Sequence, residues 1–546
     1  TPSRKFAPGI PTFVAAVAPD SARTWGLGPL SRARLSPETE LPMNVRTALL
    51  ALVSIAGTAP AATITWNING PDSLWTNPAN WIGGRVPGVN DYVEIPAGGT
   101  PLVTGYVGIR DLLVRDGGGL VILGQFYVYG SASIHFWGTM SIAGSGAEFV
   151  HQDDVHNNGT ITMWSGAGIG RLWNGSGSFI VDPSGSIVIP AYDSGGVTLG
   201  TYLQLNGYLQ HDSNQPLWVG RRSANWGDAT YIAIQDHALM EFSASCVVDS
   251  TNYAGQTAPY IVNDGSISVI GLTSDVVTFS AGLPLLNDKY VVVDKPDLHI
   301  LNSWDVSPDG TLVRGRWDCR HFGRIFLDNT TMNAVGSGAT IAMSDPGSMF
   351  VPLQQARQND GLIVLSGTSA FINPASHAFS NHGDLIIDSN ATVGINGQFD
   401  NAPGGSLTCN IAGSTPGSYG TIVAESATLA GTVNARFVDG YRPSRGDSQT
   451  VVAASQWLSG QFDAIDVYFT SVPIEASYDP TTATLVAGCI ADFDGDGTAD
   501  FFDYDAFVTC FEGGFCVGRS GGDIDADGVV DFFDYDAFVR EFEAGC

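Results

Sequence analysis

The sequence predicts a mainly β fold: a right-handed parallel β-helix, which is a solenoid, followed by a small α-helical duplicated module at the C-terminus. Three observations predict it. Short apolar runs alternate with turns through most of the chain, a weak Asn-x-Gly-x-[Ile/Leu] repeat recurs among them, and one acidic segment occurs twice near the end. With 546 residues, the chain is also longer than one ordinary folding unit.

The first 61 residues carry the pattern of a segment that is removed or unstructured. Residues 1–42 are rich in proline and arginine without periodicity, which indicates an upstream disordered segment or a translation artefact. Residues 43–61 combine a basic start, a short apolar run and Ala59-Pro-Ala61, which together predict a secretory signal peptide. We therefore expect a secreted protein, extracellular or at the cell surface. No membrane span is expected, because no run reaches about 18 apolar residues.

Residues 62–434 are expected to form the parallel β-helix. Apolar runs such as Leu120–Leu123 and Phe179–Val181 are typical of strands, and Gly, Asn, Asp and Ser mark turns about every 15–25 residues. The repeat occurs as Asn157-Asn-Gly159-Thr-Ile161, Asn263-Asp-Gly265-Ser-Ile267 and Asn381-His-Gly383-Asp-Leu385. We expect its Asn and Gly to supply left-handed backbone at a corner, and its apolar residue to point inward. Such a repeated corner predicts a β-helix of about 15–18 coils, where one coil is one complete turn of the β-helix.

The start of this region is rich in tryptophan. Trp66-Asn-Ile-Asn-Gly70, Trp75 and Trp81 precede Val86-Pro-Gly-Val-Asn-Asp91. This opening resembles the start of autotransporter-like β-helix proteins of bacterial surfaces. Two interpretations of the tryptophans are open: they cap the first coil, or they form a platform for carbohydrate.

Residues 435–488 change in character and are expected to form a β cap or linker. They contain Ser444-Arg-Gly-Asp-Ser448. An Arg-Gly-Asp sequence can bind integrins, but three common residues in a turn are usually only a turn. We expect a turn.

The charge balance limits the partners. The net charge is −30, although only 14% of residues are charged. Binding to nucleic acid needs clustered Lys and Arg, so no nucleic-acid partner is expected. Calcium, basic partners and neutral polysaccharide suit this composition better.

Residues 489–546 contain the clearest chemistry of the chain. Two segments carry acidic residues at loop positions 1, 3, 5, 9 and 12, with Gly497 and Gly528 at position 6. Calcium takes about six to eight oxygen ligands, and glycine permits the sharp turn at position 6. Position 7 offers a backbone carbonyl. We therefore predict two Ca²⁺ sites, with these ligands: Asp492, Asp494, Asp496, Thr498, Asp500, Asp503, Asp523, Asp525, Asp527, Val529, Asp531 and Asp534.

Each unit is predicted to be a loop followed by a helix, because Thr481 to Gly488 indicates a strand and a turn before the first loop. These duplicated EF-hand-type units, with Asp at position 12, resemble the type I dockerin domain. The resemblance implies a calcium-folded module whose loop positions 10 and 11 contact a cohesin-like partner. Those positions are Phe501-Phe502 and Phe532-Phe533, not a small hydroxyl pair. The phenylalanines are expected either to pack between the helices or to form a docking surface.

Four of the seven cysteines fall in this module: Cys489, Cys510, Cys516 and Cys546. Small exported domains are commonly stabilised by disulfides, and four cysteines can pair in three different ways. The resemblance, in which the two ends of the module lie close together, implies Cys489–Cys546 and Cys510–Cys516. The other three, Cys246, Cys319 and Cys409, are expected to be buried or paired.

No catalytic site can be assigned from the sequence. Three polar segments are candidates, and solvated turns are the expected alternative for each. They are His151-Gln-Asp153-Asp154-Val-His156; Asp318 with Arg320, His321 and Arg324; and Arg221-Arg222 with Asp228. The sequence therefore favours an exported, non-catalytic structural or adhesive protein tethered through its C-terminal module. The alternative is a polysaccharide-active hydrolase or lyase with the same tether.

Overall fold

The computed structural model describes residues 61–191, 195–223, 226–227, 230–251, 257–367, 369–372, 377–470, 472–496, 498–514, 522–524 and 528–544. The expected upstream segment 1–42, and residues 43–60 of the expected signal peptide, lie outside the described residues. Residues Pro60–Cys546 belong to one compact unit. Strands dominate this unit, and almost all of them pair in parallel.

Most successive strands of the chain belong to different sheets, and most strands pair with the equivalent strand one coil further along. Tyr231–Ile234, for example, pairs in parallel with Tyr202–Leu205 on one side and with Tyr260–Asn263 on the other. A parallel connection requires such a crossover. This order is consistent with a parallel β-helix, and it confirms that the chain is mainly β.

The strands are grouped here by sheet. Sheet 1 contains Thr63–Thr65, Tyr92–Ile95, Asp111–Val114, Ala132–Ile134, Val155–Asn157, Phe179–Val181, Tyr202–Leu205, Tyr231–Ile234, Tyr260–Asn263 and Leu285–Asn287. Sheet 2 contains Leu102–Val103, Gly119–Ile122, Thr139–Ile142, Thr160–Met163, Ser186–Ile189, Tyr208–His211, Leu239–Phe242, Ser266–Ile270, Tyr290–Asp294, Gly315–Arg320, Ala339–Met343, Leu362–Leu365, Asp384–Ile387, Ser406–Ile411, Thr432–Phe437 and Ala464–Tyr468.

Sheet 3 contains Tyr106–Ile109, Gln125–Val128, Glu148–His151, Gly168–Arg171, Val197–Gly200, Leu217–Val219, Cys246–Ser250, Val276–Phe279, Asp297–Ile300, Arg324–Leu327 and Met349–Phe350. Sheet 4 contains Thr311–Leu312, Ala334–Val335, Gln358–Asn359, Ser369–Ile372, Ala378–Asn381, Thr392–Asn401, Thr421–Leu429, Ser448–Gly460, Ile474–Tyr478 and Thr482–Ala487. The 16 strands of sheet 2 fall within the expected number of coils.

The set of sheets that forms the β-helix changes along its length. Sheet 4 begins at Thr311, after sheet 1 has ended at Asn287, and sheet 3 ends at Phe350. The long strand Thr392–Asn401 then pairs with two shorter strands of the preceding coil, and its register with the next coil shifts between Ile395 and Gln398. At the C-terminal end, Thr482–Ala487 pairs antiparallel with both of its neighbours. Parallel pairing therefore continues past Asn434, and the antiparallel strands close the end.

The core fills the interior of the coil. Inward residues alternate with outward ones, as in Leu239–Phe242, where Met240 and Phe242 are fully buried. Aromatic side chains of successive coils stack inside, and the rings of Phe126 and Phe149 lie 6.1 Å apart. Burial of this kind is the main stabilising term, worth about 25 cal/mol per Å² of apolar surface.

The repeated Asn-x-Gly corners are real, but the expected left-handed backbone is wrong. Neither Asn381 nor Gly383 has a positive φ, and the same holds for the other two copies. Glycine is needed because a Cβ at Gly383 would overlap the carbonyl oxygen of Gly361 in the previous coil. The inward position of the apolar residue is confirmed, since Leu385 is fully buried.

The corner asparagines are fully buried and bond to one another along the coil axis. Asn381 accepts from Nδ2 of Asn359 at 2.8 Å and donates to Oδ1 of Asn401 at 2.9 Å. Asn263 donates in the same way to Asn287 at 2.7 Å. These ladders satisfy amides that would otherwise be costly to bury.

The N-terminal tryptophans form an aromatic cluster. Trp66, Trp75 and Trp81 are at most 4% exposed, and the ring of Trp81 lies 4.9 Å from Trp66 and 4.7 Å from Trp75. Trp75 also contacts Phe126 of the coil, at a ring distance of 5.2 Å. Their burial supports the capping interpretation and leaves these rings no face for carbohydrate.

Helices occupy little of the described chain. Two 3-10 helices, Pro78–Asn80 and Val351–Gln355, interrupt the coil, and two α-helices follow it: α1, Phe501–Phe511, and α2, Phe532–Ala544. The strand Thr482–Ala487 precedes the first acidic loop, which confirms the expected strand, loop and helix order. Among the described helices, none is long and apolar enough to cross a bilayer.

The glycine corner gives a first prediction. We expect Gly383→Ala to lower the free energy of unfolding by about 1–3 kcal/mol, because the new Cβ must push against the backbone of the neighbouring coil. Chemical denaturation measures the change. Gly404→Ala is the matched control, since its Cβ would lie 3.9 Å from the nearest atom. Equal stability of the two variants would contradict this explanation of the repeat.

A buried histidine gives a second prediction. His211 is fully buried, neither ring nitrogen has a hydrogen-bond partner among the described residues, and burial lowers its pKa to about 4. The unfolded chain takes up this proton near pH 6.5 and the folded chain does so only near pH 4, so stability falls as the pH drops between these values.

We expect the free energy of unfolding of His211→Leu to fall by about 3 kcal/mol less than that of the wild type as the pH drops. Denaturation at several pH values measures it as the difference between wild type and variant. His382→Leu, at an exposed position, is the control. The prediction would be contradicted if the difference in free energy of unfolding between wild type and variant were the same at pH 7 and at pH 4.

Candidate metal centre

Three predicted ligands of the first loop converge. One carboxylate oxygen from each of Asp492, Asp494 and Asp496 lies within 4.8 Å of the others. The loop backbone orients them, because Asp496 N–H donates to Asp494 Oδ1 at 3.1 Å and Thr498 N–H donates to Asp496 Oδ1 at 2.9 Å. Gly495, with φ of 80°, gives the chain the turn that brings these side chains together.

The next two acidic positions join the loop to α1. Asp500 caps the helix and accepts from the N–H of Phe502 at 2.8 Å. Asp503 is fully buried, and its two oxygens accept from the N–H groups of Asp494 at 2.9 Å and Asp500 at 2.8 Å. Each oxygen retains a second lone pair for a cation. Asp503 therefore ties the loop to the helix as well as standing at predicted ligand position 12.

The second loop repeats this arrangement where it is described. Asp534 is fully buried and accepts from the N–H groups of Ile524 at 2.6 Å and Asp531 at 2.7 Å. Asp531 in turn accepts from Phe533 N–H at 2.8 Å. Gly528 has a φ of 91°, and its N–H donates to Asp523 at 3.0 Å. The predicted ligands Asp525 and Asp527, and Gly497 of the first loop, lie outside the described residues.

The electrostatics of the first loop favour a cation. Desolvation and the neighbouring carboxylates of Asp503, Asp496 and Asp492 raise the pKa of Asp494. A divalent ion relieves this repulsion, and an all-oxygen donor set suits hard ions such as Ca²⁺ or Mg²⁺. The residues present therefore fit the predicted metal. Thr498 and Val529, at position 7, would contribute backbone carbonyls.

An aromatic core joins the two loop–helix units. The rings of Phe507 in α1 and Phe538 in α2 stack at 4.1 Å, and Phe493 packs edge-on against both. The hydroxyl groups of Tyr504 and Tyr535 lie 2.9 Å apart. Both units thus bury equivalent residues against each other, with a pseudo-twofold relation.

Cysteines also stabilise the module. Cys489 and Cys510 are both disulfide-bonded. Cys516 and Cys546 lie outside the described residues, so the predicted connectivity stays a prediction. Cys246, Cys319 and Cys409 are free and buried in the coil, and burial raises the pKa of each thiol. Such thiols are poor nucleophiles.

The paired phenylalanines do not pack between the helices, so the first interpretation of them is wrong. Phe501, Phe502, Phe532 and Phe533 are 66–70% exposed. They lie at the N-terminal ends of α1 and α2, whereas the helices contact each other further along, where Tyr504 approaches Phe542 and Phe511 approaches Tyr535. The helices are therefore antiparallel, and the two phenylalanine pairs lie at opposite ends of the helix pair. Each exposed pair of rings is an apolar feature that is available to a partner.

The first candidate catalytic segment is divided by the wall of the coil. His151 is fully buried, with Nε2 2.8 Å from Thr201 Oγ1, and burial lowers its pKa to about 4. His156 lies on the outside, 3.4 Å from Asp182. Asp154 accepts from the N–H of Ser178 at 2.8 Å. These groups serve separate contacts rather than one site.

The second segment does bring acids and bases together. Nδ1 of His321 lies 3.1 Å from Asp294, and its Nε2 lies 4.0 Å from Asp345. Asp318 is 2% exposed and pairs with Arg320 at 2.5 Å. Arg324 instead pairs with Asp297 of the previous coil, also at 2.5 Å. His321 therefore lies between two carboxylates, in the exposed turn that follows the sheet 2 strand Gly315–Arg320.

The third segment is structural where it is described. Arg222 donates to the carbonyl of Gly166 at 2.6 Å, and its Nε lies 3.8 Å from the buried Glu148. Arg221 is half-buried beside it, and Asp228 lies outside the described residues. Desolvation raises the pKa of Glu148, which Arg222 partly offsets. This pairing holds an outer loop against sheet 3.

The Arg-Gly-Asp sequence forms a closed turn. Asp447 accepts from the N–H of Ser444 at 2.8 Å and from the hydroxyl of Tyr441 at 2.6 Å, and these bonds lower its pKa. Gly446 has a φ of 81°. The aspartate thus has partners within its own turn, in agreement with the expected interpretation.

A cavity of about 430 Å³ beside the module had no signal in the sequence. Arg442 and Phe469 of the β cap line it, together with Ile524, Arg540 and Glu541 of the module. These residues are far apart along the chain, and no local motif links them. Comparison with known proteins adds no identification: no family model matches the chain, and no curated protein matches it.

The loops give a third prediction. Calorimetry of the full chain with calcium should detect two sites. Asp492→Ala and Asp523→Ala should each weaken calcium binding at one site by about tenfold or more, because each removes one charged ligand. The double variant should bind weakly at both sites. Asp116→Ala, a 63% exposed carboxylate on a coil turn, is the control. Wild-type binding by the double variant would refute the loop assignment.

Proposed function

We propose that this chain is an exported calcium-binding protein whose right-handed parallel β-helix serves as a structural or adhesive surface outside the cell. Its C-terminal dockerin-like module would tether it to a partner. The convergence of Asp492, Asp494 and Asp496 in a loop closed by a capped helix carries this proposal. The sequence repeats that loop at Asp523.

Two features support a tether rather than a calcium sensor. Disulfides and a shared aromatic core hold the loop–helix units, so little conformational change is available for signalling. The exposed phenylalanines at positions 10 and 11 of either loop would form a contact surface. Their apolar character suits a cohesin-like partner with an apolar patch, or another protein with one.

The composition of the coil supports a passive, adhesive role. With 54 acidic residues against 24 Lys and Arg, the chain suits neutral polysaccharide better than anionic polymers. The alternative is a polysaccharide-active enzyme, a glycoside hydrolase or lyase. His321 between Asp294 and Asp345 favours it, because paired carboxylates can act as acid and base.

A polysaccharide assay separates these functions. The full chain is incubated with insoluble cellulose, xylan, chitin and pectin, and both co-sedimentation and released sugar ends are measured. We expect co-sedimentation with at least one neutral polymer and no release of sugar ends. Release that His321→Ala abolishes would establish the enzyme instead, and failure to bind any polymer would refute the adhesive role.

A retention assay tests the tether. The immobilised full chain is exposed to extracellular protein of the producing cells, and the retained proteins are quantified. We expect Phe501→Ser combined with Phe532→Ser, or removal of calcium, to abolish specific retention. Trp137→Ser, which changes a 69% exposed aromatic residue on a coil turn, is the matched control. Retention that is equal in all variants would refute the docking surface.

A further inference from the structure

The C-terminal end of sheet 2 is an open edge. Its last strand, Ala464–Tyr468, is called the edge strand here, and it pairs only with Thr432–Phe437 among the described residues. The N–H of Ala464 donates to Gly431 O at 3.3 Å. Because backbone groups alternate in direction along a strand, the N–H and C=O groups of Ile465 and Val467 point away from that neighbour. Such groups are a template for another strand.

A cavity of about 550 Å³ runs along the free side of the edge strand. Its opposite wall includes Val472 and Ile474, where the last strand of sheet 4 begins. The wall residues Phe462, Val472 and Ile474 are apolar, but Asp463 and Asp466 also line the space, so its lining is mixed polar and apolar. An extended chain in this space would gain backbone pairing and bury apolar side chains.

The second cavity, of about 430 Å³, adjoins the first, because Thr470 and Val472 line both. It lies beyond the carboxyl end of the edge strand, where Arg442 and Arg540 face it. Arg442 is exposed and forms no ion pair with a described carboxylate, while Arg540 pairs with Asp536 at 3.2 Å. Two guanidinium groups at one cavity of so acidic a chain indicate a site for an anion.

We propose that an extended C-terminal segment of a partner protein adds to the edge strand as a parallel strand, with its free carboxylate between Arg442 and Arg540. The direction follows from the geometry, since the arginines lie beyond the carboxyl end of the edge strand. Main-chain pairing supplies affinity, and capture of the carboxylate fixes the register. This site depends on the β cap and the arginines rather than on calcium, so it can fail independently of the proposed tether.

Selection from a peptide library tests the proposal. Random decapeptides with free C-termini are selected against the full chain, and the best binder is measured by fluorescence anisotropy. We expect amidation of its C-terminus, or Arg442→Ala, to weaken binding about 10–100-fold, as for a lost charge-assisted pair. Glu541→Gln should strengthen binding, because Glu541 lines the same cavity and repels the carboxylate. Arg445→Ala, outside the cavity, should leave binding unchanged.

The main-chain contact has its own variant. Val467→Pro removes an N–H on the free side and leaves the ladder to Thr432–Phe437 intact, a position where proline is tolerated. We expect Val467→Pro to weaken peptide binding by about tenfold or more and to leave the midpoint of thermal unfolding unchanged. Val467→Ala should keep most of the affinity. Failure of the library to yield a binder, or binding unaffected by Val467→Pro or by amidation, would overturn the proposal.

Discussion

The whole structure depends on one interaction, the in-register stacking of each strand's backbone on the equivalent strand of the preceding coil. The same pairing recurs from Thr63–Thr65 to Ala464–Tyr468. It satisfies the backbone N–H and C=O groups of each strand and fixes the distance between coils at the spacing of a sheet, roughly 4.8 Å. The composition of the corners, the filling of the core and the treatment of the two ends all follow from that spacing.

At the glycine positions of the corners, the spacing leaves no room for a Cβ. The glycines of the repeated motif are therefore required by the carbonyl oxygens of the neighbouring coil, although their φ angles are ordinary. The asparagines beside them lie close enough to bond to each other. One constraint thus produces both the close backbone contact and the buried amide ladder, which a local interpretation of either residue does not explain.

A stack of strands must also end. At the N-terminal end, Trp66, Trp75 and Trp81 cover the first coils with buried aromatic surface. The C-terminal end is closed on one side by the antiparallel strand Thr482–Ala487, while sheet 2 stops at a strand with a free side. The acidic module follows there, and it is held by aromatic stacking and disulfides rather than by backbone pairing. The chemistry of the chain is therefore concentrated at this end.

The sequence alone determined the class of fold, the loop–helix order of the tail and the residues of the acidic loops, because strand alternation and ligand spacing are local patterns. It also identified the corner motif, but assigned its glycines to the wrong cause, since their constraint comes from a coil more than twenty residues away. Only the tertiary structure decided that Phe501, Phe502, Phe532 and Phe533 are exposed, because helix packing depends on how two distant helices meet. It alone also brought Arg442 and Arg540 to one cavity and left the edge strand open, since these depend on where the coil stops.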